Sequence, residues 1–422
     1  MELSEDTRRI IGNFFSLSLL ECANYILPLI TLPYLVRVLG PSNFGKVAFA
    51  QAFVQYFVIT TDYGFYLLGP KKISINREKL SAVSKIFSSI MVIKTILFFL
   101  SFLVLLSLIL VITKFGIEKP IFIFSFGLVL GDVLFPTWFF QGMERMKYIT
   151  VLYFVAKLFF LVTIFIFIRS KNQYIYVPLL QSLGIIFAGI LSLLIIRFKF
   201  NVRFKIPPFV RIKEYLKEGW HFFISTLSIS VYTYSNTFIL GLLTTPVIVG
   251  YYSAAEKIIR ALQRMQWAVS QAVYPYVNKI ASQSEKKALR FLKKLIVFVG
   301  GGFLLISLTI FIFAKLIVNL ILGDQYIPSI IVLQILAFLP FIISISNIFG
   351  VQTMLAFNMK EDFSKIMLST ALVNIVLASV LASMYKHIGV SIAVVLTEIY
   401  VALIMCFYLR KHGISYLELI HS

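Results

Sequence analysis

Four charged side chains, Glu256, Lys257, Arg260 and Arg264, fall within nine residues of VGYYSAAEKIIRALQRM (249–265), in a chain otherwise dominated by apolar runs. An α-helix turns about 100° per residue, so with Glu256 at 0°, Arg260 stands at about 40°, Arg264 at about 80° and Lys257 at about 100°. Ser253, Gln263, Trp267, Gln271 and Asn278 fall in or close to the same arc. Ala254, Ile258, Ala261, Met265, Ala268 and Ala272 take the opposite face. The charges therefore form one stripe with a net charge of +2. Aligned cations of this kind suit an anion, and phosphate above all, because arginine meets phosphate oxygens in a bidentate fork. The alternative use is internal. Glu256 and Arg260 are spaced i,i+4 for an ion pair, which leaves Lys257 and Arg264 over.

Depth sharpens the choice. Arg260 lies ten residues past Gly250, or about 15 Å along the helix, near the middle of a hydrocarbon core about 30 Å thick. A charge there costs at least about 2.5–3.5 kcal/mol on the insertion scale. The stripe is expected to line a water-filled cavity rather than face lipid. Lys94 and Lys157 sit at similar depth and are further candidates to line it, whereas Lys315 is expected to snorkel towards a membrane surface. Glu256, Asp62, Glu21 and Asp132 are candidates for ion pairs or for carrying a coupling proton, and Glu398 is a further acidic residue within a span.

The elements that hold these residues are membrane helices. Of the 422 residues, 59% are hydrophobic and 14% charged, against about 25% charged in a soluble chain. That apolar content fills about twelve spans of some 20 residues each. The hydropathy pattern places them at 13–36, 44–68, 84–113, 120–140, 149–168, 174–196, 218–242, 247–278, 293–321, 328–356, 366–384 and 388–409. The expected fold is thus an all-α polytopic membrane protein. A β-barrel is excluded, because its strands alternate apolar and polar residues. The N-terminus reads as having no cleavable signal peptide. Cys22 and Cys406 both fall within spans, so no disulfide framework, metal site or cofactor is expected.

The formal charge of +21 reads as membrane topology rather than nucleic-acid binding. Of 39 lysines and arginines, 26 lie on one set of loops and 7 on the alternate set, which puts both termini in the cytoplasm. The longest loop, 197–217, is basic and contains Pro207 and Pro208. It divides the chain into an N-lobe (1–200, six spans), a linker (201–217) and a C-lobe (218–422, six spans). The halves carry an echo of each other. Pro41, Gly45, Ala50 and Gln51 match Pro246, Gly250, Ala255 and Glu256 at a constant offset of 205. Both segments would begin on the outer side, which makes the repeat parallel, and transporters with such repeats place the substrate at the repeat interface. Prolines in a first turn followed by small packing residues are the simpler origin of the same match.

The sequence FPTWFFQGMERMKY (135–148) resembles the W-[FY]-x-Q-G-x-E-[KR] signature of polysaccharide, or O-antigen, flippases of the MOP exporter superfamily, through Trp138, Phe139, Gln141, Gly142, Glu144 and Arg145. LGPSNFGKVAFAQAFVQYF (39–57), TDYGF (61–65) with Asp62 and Gly64, and VGYYSAAEKI (249–258) resemble further patterns of that family. Asn236 departs from it, since members often carry an acidic residue there. The resemblance implies a MATE-like pair of lobes and export of a polyprenyl-diphosphate-linked oligosaccharide, an O-antigen or capsule repeat unit, from the cytoplasmic to the outer leaflet by alternating access. It also implies a bacterial inner-membrane location and, as partners, a polysaccharide polymerase and chain-length machinery. Residues 138–145 are expected to be structural, with Trp138 as an interfacial anchor and a Glu144–Arg145 charge pair.

Other readings compete. A lipid II flippase of the same superfamily usually has two more helices. An ion-coupled drug antiporter handles cations, which a +2 stripe disfavours. A membrane glycosyltransferase or polymerase needs acidic catalytic residues on a sizeable loop, and the loops are short. There is no Walker A motif. A transporter rather than an enzyme is expected.

Overall fold

In the computed structural model the backbone is described for residues 5–112, 115 and 118–414. Side chains are described over the same range except 5–26, 28, 29, 225, 228, 229, 231 and 232. Every regular element among the described residues is helical. In chain order they are α1 (Glu5–Asp62), α2 (Phe65–Asn76), α3 (Leu80–Val111), α4 (Lys119–Leu134), α5 (Thr137–Gly142), α6 (Met146–Phe167) and α7 (Tyr176–Phe198). Then come α8 (Phe209–Leu243), α9 (Pro246–Gln283), α10 (Glu285–Leu295), α11 (Gly301–Ile317), α12 (Ser329–Leu336), α13 (Leu339–Asn347) and α14 (Lys360–Lys411). Three π-helical turns, Ile296–Gly300, Val318–Leu322 and Ile348–Met354, extend α10, α11 and α13.

Among the described residues, seven helical stretches are long and apolar enough to cross a membrane: Leu80–Val111, Lys119–Gly142, Met146–Phe167, Lys171–Phe198, Glu285–Leu322, Ser329–Met354 and Lys360–Lys411. The chain is a multi-pass membrane protein. Several expected spans have a different form in the structure. Segments 13–36 and 44–68 share α1, which bends at Gly40 (φ 69°, ψ 171°). The second of them stops early at Asp62, because Tyr63 and Gly64 turn left-handed (φ 49° and 76°) before α2 begins. Segment 120–140 breaks at Phe135–Pro136, where proline supplies no backbone donor to continue the helix. Segments 366–384 and 388–409 both lie in α14, bent at Lys386 (φ 53°, ψ −129°).

The chain folds as two compact units, residues 1–31 with 46–230 and residues 32–45 with 231–422. In the first, α4 and α7 approach closely over small residues. A Cβ added to Gly127, Gly131 or Gly189 would come within 2.7 Å of Ser182, Ile185 or Leu134. Ser182 and Ser192 hydroxyls donate across the same contact to the carbonyls of Phe124 and Leu134 at 2.8 and 3.1 Å. Small residues that admit a neighbouring backbone, with hydroxyls bridging between helices, are how membrane helices associate without a hydrophobic drive.

The signature stretch 138–145 also serves packing. Trp138 is 1% exposed in the core of this unit, so it is not an interfacial anchor. Its indole lies against Gly69 of α2, while Gly142 admits Ile73. Glu144, left-handed at φ 55°, reaches Arg77 at 2.6 Å. The second unit has its own core, where α9, α10 and α14 meet through Val277, Leu289, Leu292, Met405 and Leu409.

Candidate functional site

Helix α9 is started by Pro246 in its first turn, where the missing amide proton costs nothing. Ala254 and Ala255 behind it are fully buried. This small-residue back allows α9 to lie close to its neighbours while its charged side stays open.

The four charges divide in two. Arg260 turns inward. Its Nη2 donates to Glu256 Oε1 at 2.9 Å and to the Thr233 carbonyl at 2.8 Å, and its guanidinium lies 5.5 Å from the Tyr234 ring centre. Glu256 also accepts from the Thr237 hydroxyl at 3.2 Å and the Tyr252 hydroxyl at 3.3 Å. Lys257 and Arg264 turn outward and are exposed. The Lys257 ammonium stands 4.8 Å over the ring of Phe44, a favourable placement for a cation.

A cavity of about 110 Å³ adjoins the Glu256–Arg260 pair and is lined by Thr233, Asn236, Tyr252, Gln263 and Glu398 among others. The cationic cavity expected around Arg260 has a different character here. It holds two carboxylates against one guanidinium, because the i,i+4 pair forms. The other two cations of the stripe, Lys257 and Arg264, lie on its exposed side. Asn236 is 4% exposed. Beside it runs a neutral chain in which Ser235 donates to Asn374 at 3.1 Å and Asn374 donates to Thr397 at 3.3 Å. That chain was not anticipated from the sequence, although a lone Asn374 within an apolar span is the signal that could have marked it.

The other candidates lie in the first unit. Lys94 of α3 is 2% exposed, and its ammonium donates to Asp132 Oδ2 at 3.0 Å and to Asp62 Oδ1 at 3.4 Å. Asp62 Oδ2 also accepts from the Tyr66 amide at 3.3 Å, so it closes the end of α1 onto the start of α2. One lysine thus ties three helices through two carboxylates. Lys157 is half-buried on α6. The side chain of Glu21 lies outside the described residues.

Comparison with known proteins decides the family. Residues 10–281 match the family described as "Polysaccharide biosynthesis protein". The chain belongs to the polysaccharide biosynthesis protein family. A curated protein of Escherichia coli (strain K12), named as a candidate O-antigen transporter, is 33% identical over 404 residues, covering 95% of this chain and 96% of the relative. Among solved structures, the lipid II flippase MurJ in an inward closed conformation superposes with a TM-score of 0.72 at 16% identity, over 95% of this chain and 87% of that one. An inward-facing multidrug resistance MATE family transporter of the MOP superfamily gives 0.68 at 14% identity, over 92% and 94%. At these identities the two structures establish the fold alone, which this polysaccharide biosynthesis protein shares with them.

Proposed function

We propose that this family member is a flippase that carries a polyprenyl-diphosphate-linked oligosaccharide from the cytoplasmic to the outer leaflet of the bacterial inner membrane. In this reading twelve spans form lobes 1–200 and 218–422, joined by the 201–217 linker, with both termini cytoplasmic, and the lobes alternate access. The observation that carries the substrate assignment is the pair Lys257 and Arg264. They are exposed on one face of α9, seven residues or about 10.5 Å apart along its axis. The two phosphates of a diphosphate lie much closer together than that, and long, flexible lysine and arginine side chains can converge on them from that spacing.

Arg260 plays a supporting part, as its fork is already engaged by Glu256 and the Thr233 carbonyl. Lys94 serves to neutralise Asp62 and Asp132, and any coupling proton would be taken by these carboxylates or by Glu256. A polymerase and chain-length machinery would receive the product. The reading is tested with purified protein in proteoliposomes carrying a polyprenyl-diphosphate oligosaccharide. Protein-dependent appearance of the glycan in the opposite leaflet is expected. Equal appearance in protein-free vesicles would overturn it.

A further inference from the structure

The open face of α9 does not stop at Arg264. Positions seven apart on a helix drift by only about 20° and lie about 10.5 Å apart. Lys257, Arg264, Gln271 and Asn278 form such a series. The first three are exposed, and Asn278 is half-buried, with its amide donating to the Tyr274 carbonyl at 3.0 Å. Exposed Lys279 lies beside the end of the series. Ser270 and Val277, on the other flank, are buried. From Lys257 to Lys279 the face runs about 33 Å, roughly the thickness of the hydrocarbon core.

At the far end stands α10. Ser284 caps it, accepting from the Lys287 amide at 3.4 Å. Its apolar side, Ala288, Leu289 and Leu292, is buried. Phe291 meets Tyr276 of α9 edge-to-face at 4.9 Å. The opposite side presents Lys286, Lys287, Arg290 and Lys294, all exposed. Because the span-length stretch Glu285–Leu322 begins with α10, these cations sit at a membrane end, where basic side chains attract anionic headgroups.

The order of charges along this line has a physical sense. Cations stand at the membrane end and again around mid-depth, with two neutral amides between. A group that must travel needs sites attractive enough to enter and weak enough to leave. Amides can hydrogen-bond phosphate oxygens without holding them as a second fixed charge would.

We propose that Lys279, Lys286 and Lys287 form a loading station for the diphosphate headgroup, from which it passes Asn278 and Gln271 to reach Arg264 and Lys257. This rests on the flippase reading and adds a surface site and a route to it. The test uses the full chain in two assays. Binding of a polyprenyl diphosphate to protein in zwitterionic nanodiscs is followed by native mass spectrometry, and flipping in proteoliposomes is followed as a function of substrate density.

The triple variant Lys279→Gln, Lys286→Gln, Lys287→Gln is expected to raise the half-saturating density by about a hundredfold and leave the plateau rate unchanged. Arginine at the same three positions should restore it. Lysine-to-glutamine changes at Lys205, Lys213 and Lys217 control for lost positive charge as such, and should leave the half-saturating density unchanged. Equal binding and equal half-saturation in wild type and the glutamine triple variant would overturn the loading station. Binding that is lost in that variant, without flipping by wild type, would keep the station as a diphosphate site and overturn the flippase reading instead.

Discussion

Gly45 and Gly250 each rest on the backbone of the other's repeat. A Cβ on Gly45 would lie 1.8 Å from the Pro246 carbonyl oxygen, and a Cβ on Gly250 would lie 2.0 Å from that of Pro41. The contact is reciprocal, and its four residues are two of the pairs matched at the offset of 205 in the sequence. Two helix starts of the same design therefore meet face to face, and neither tolerates a side chain. Alanine at either glycine forces the backbones apart, and overpacking of this kind costs about 1–3 kcal/mol. Each single variant should lower the thermal midpoint of the purified protein by several degrees. The double variant should lower it by less than the sum, because the first substitution already opens the shared contact. Additive losses would show that the two glycines act separately.

The Lys94 cluster makes a sharper demand on charge. Lys94→Met leaves Asp62 and Asp132 facing each other without their cation. Removing one partner of a buried pair costs about 3–5 kcal/mol, with some relief here because Asp132 is 36% exposed. Adding Asp62→Asn and Asp132→Asn to Lys94→Met should recover part of the lost stability, read as the melting midpoint in detergent. No recovery would mean that Lys94 acts through its packing.

Arg260 and its outward neighbours should separate by phenotype. Arg260→Gln strips Glu256 of its cation and the Thr233 carbonyl of its donor, so a loss of about 1–2 kcal/mol is expected for these partly screened bonds. Glu256→Gln in the same chain should restore much of it. Lys257→Gln and Arg264→Gln should each cost less than Arg260→Gln, since both side chains are exposed. A melting loss confined to Lys257→Gln or Arg264→Gln would contradict this division.

Two buried glutamines offer a matched comparison. Gln352 donates to the Ser270 carbonyl and hydroxyl, both at 2.9 Å. Gln266 is 4% exposed, and neither atom of its amide has a hydrogen-bond partner among the described residues. Gln352→Leu should destabilise by about 1–3 kcal/mol, whereas Gln266→Leu should be neutral or stabilising. The order of the two melting midpoints is the readout, and the reverse order would contradict it.

Much of this was legible in the sequence, for identifiable reasons. The charged stripe of α9 follows from helical period alone, and the repeat from proline and glycine spacing that backbone contact requires. The bends were harder to read. Lys386 adopts a conformation that its residue type does not favour, so the chain enters it for tertiary reasons. The partners of Lys94 come from helices 32 and 38 residues away in sequence, a distance over which no local pattern speaks. The inward turn of Arg260 depends on which neighbour offers a carbonyl, and Thr233 lies on another helix.

The most direct test of the central claim is the flipping rate of the double variant Lys257→Gln, Arg264→Gln beside wild type, in proteoliposomes loaded with a polyprenyl-diphosphate oligosaccharide at matched amounts of folded protein. A diphosphate held by these two exposed cations predicts a loss of about tenfold or more, since hydrogen bonds between charged groups are worth about 1.5–3 kcal/mol each. Flipping by the double variant at the wild-type rate would show that the headgroup is bound elsewhere.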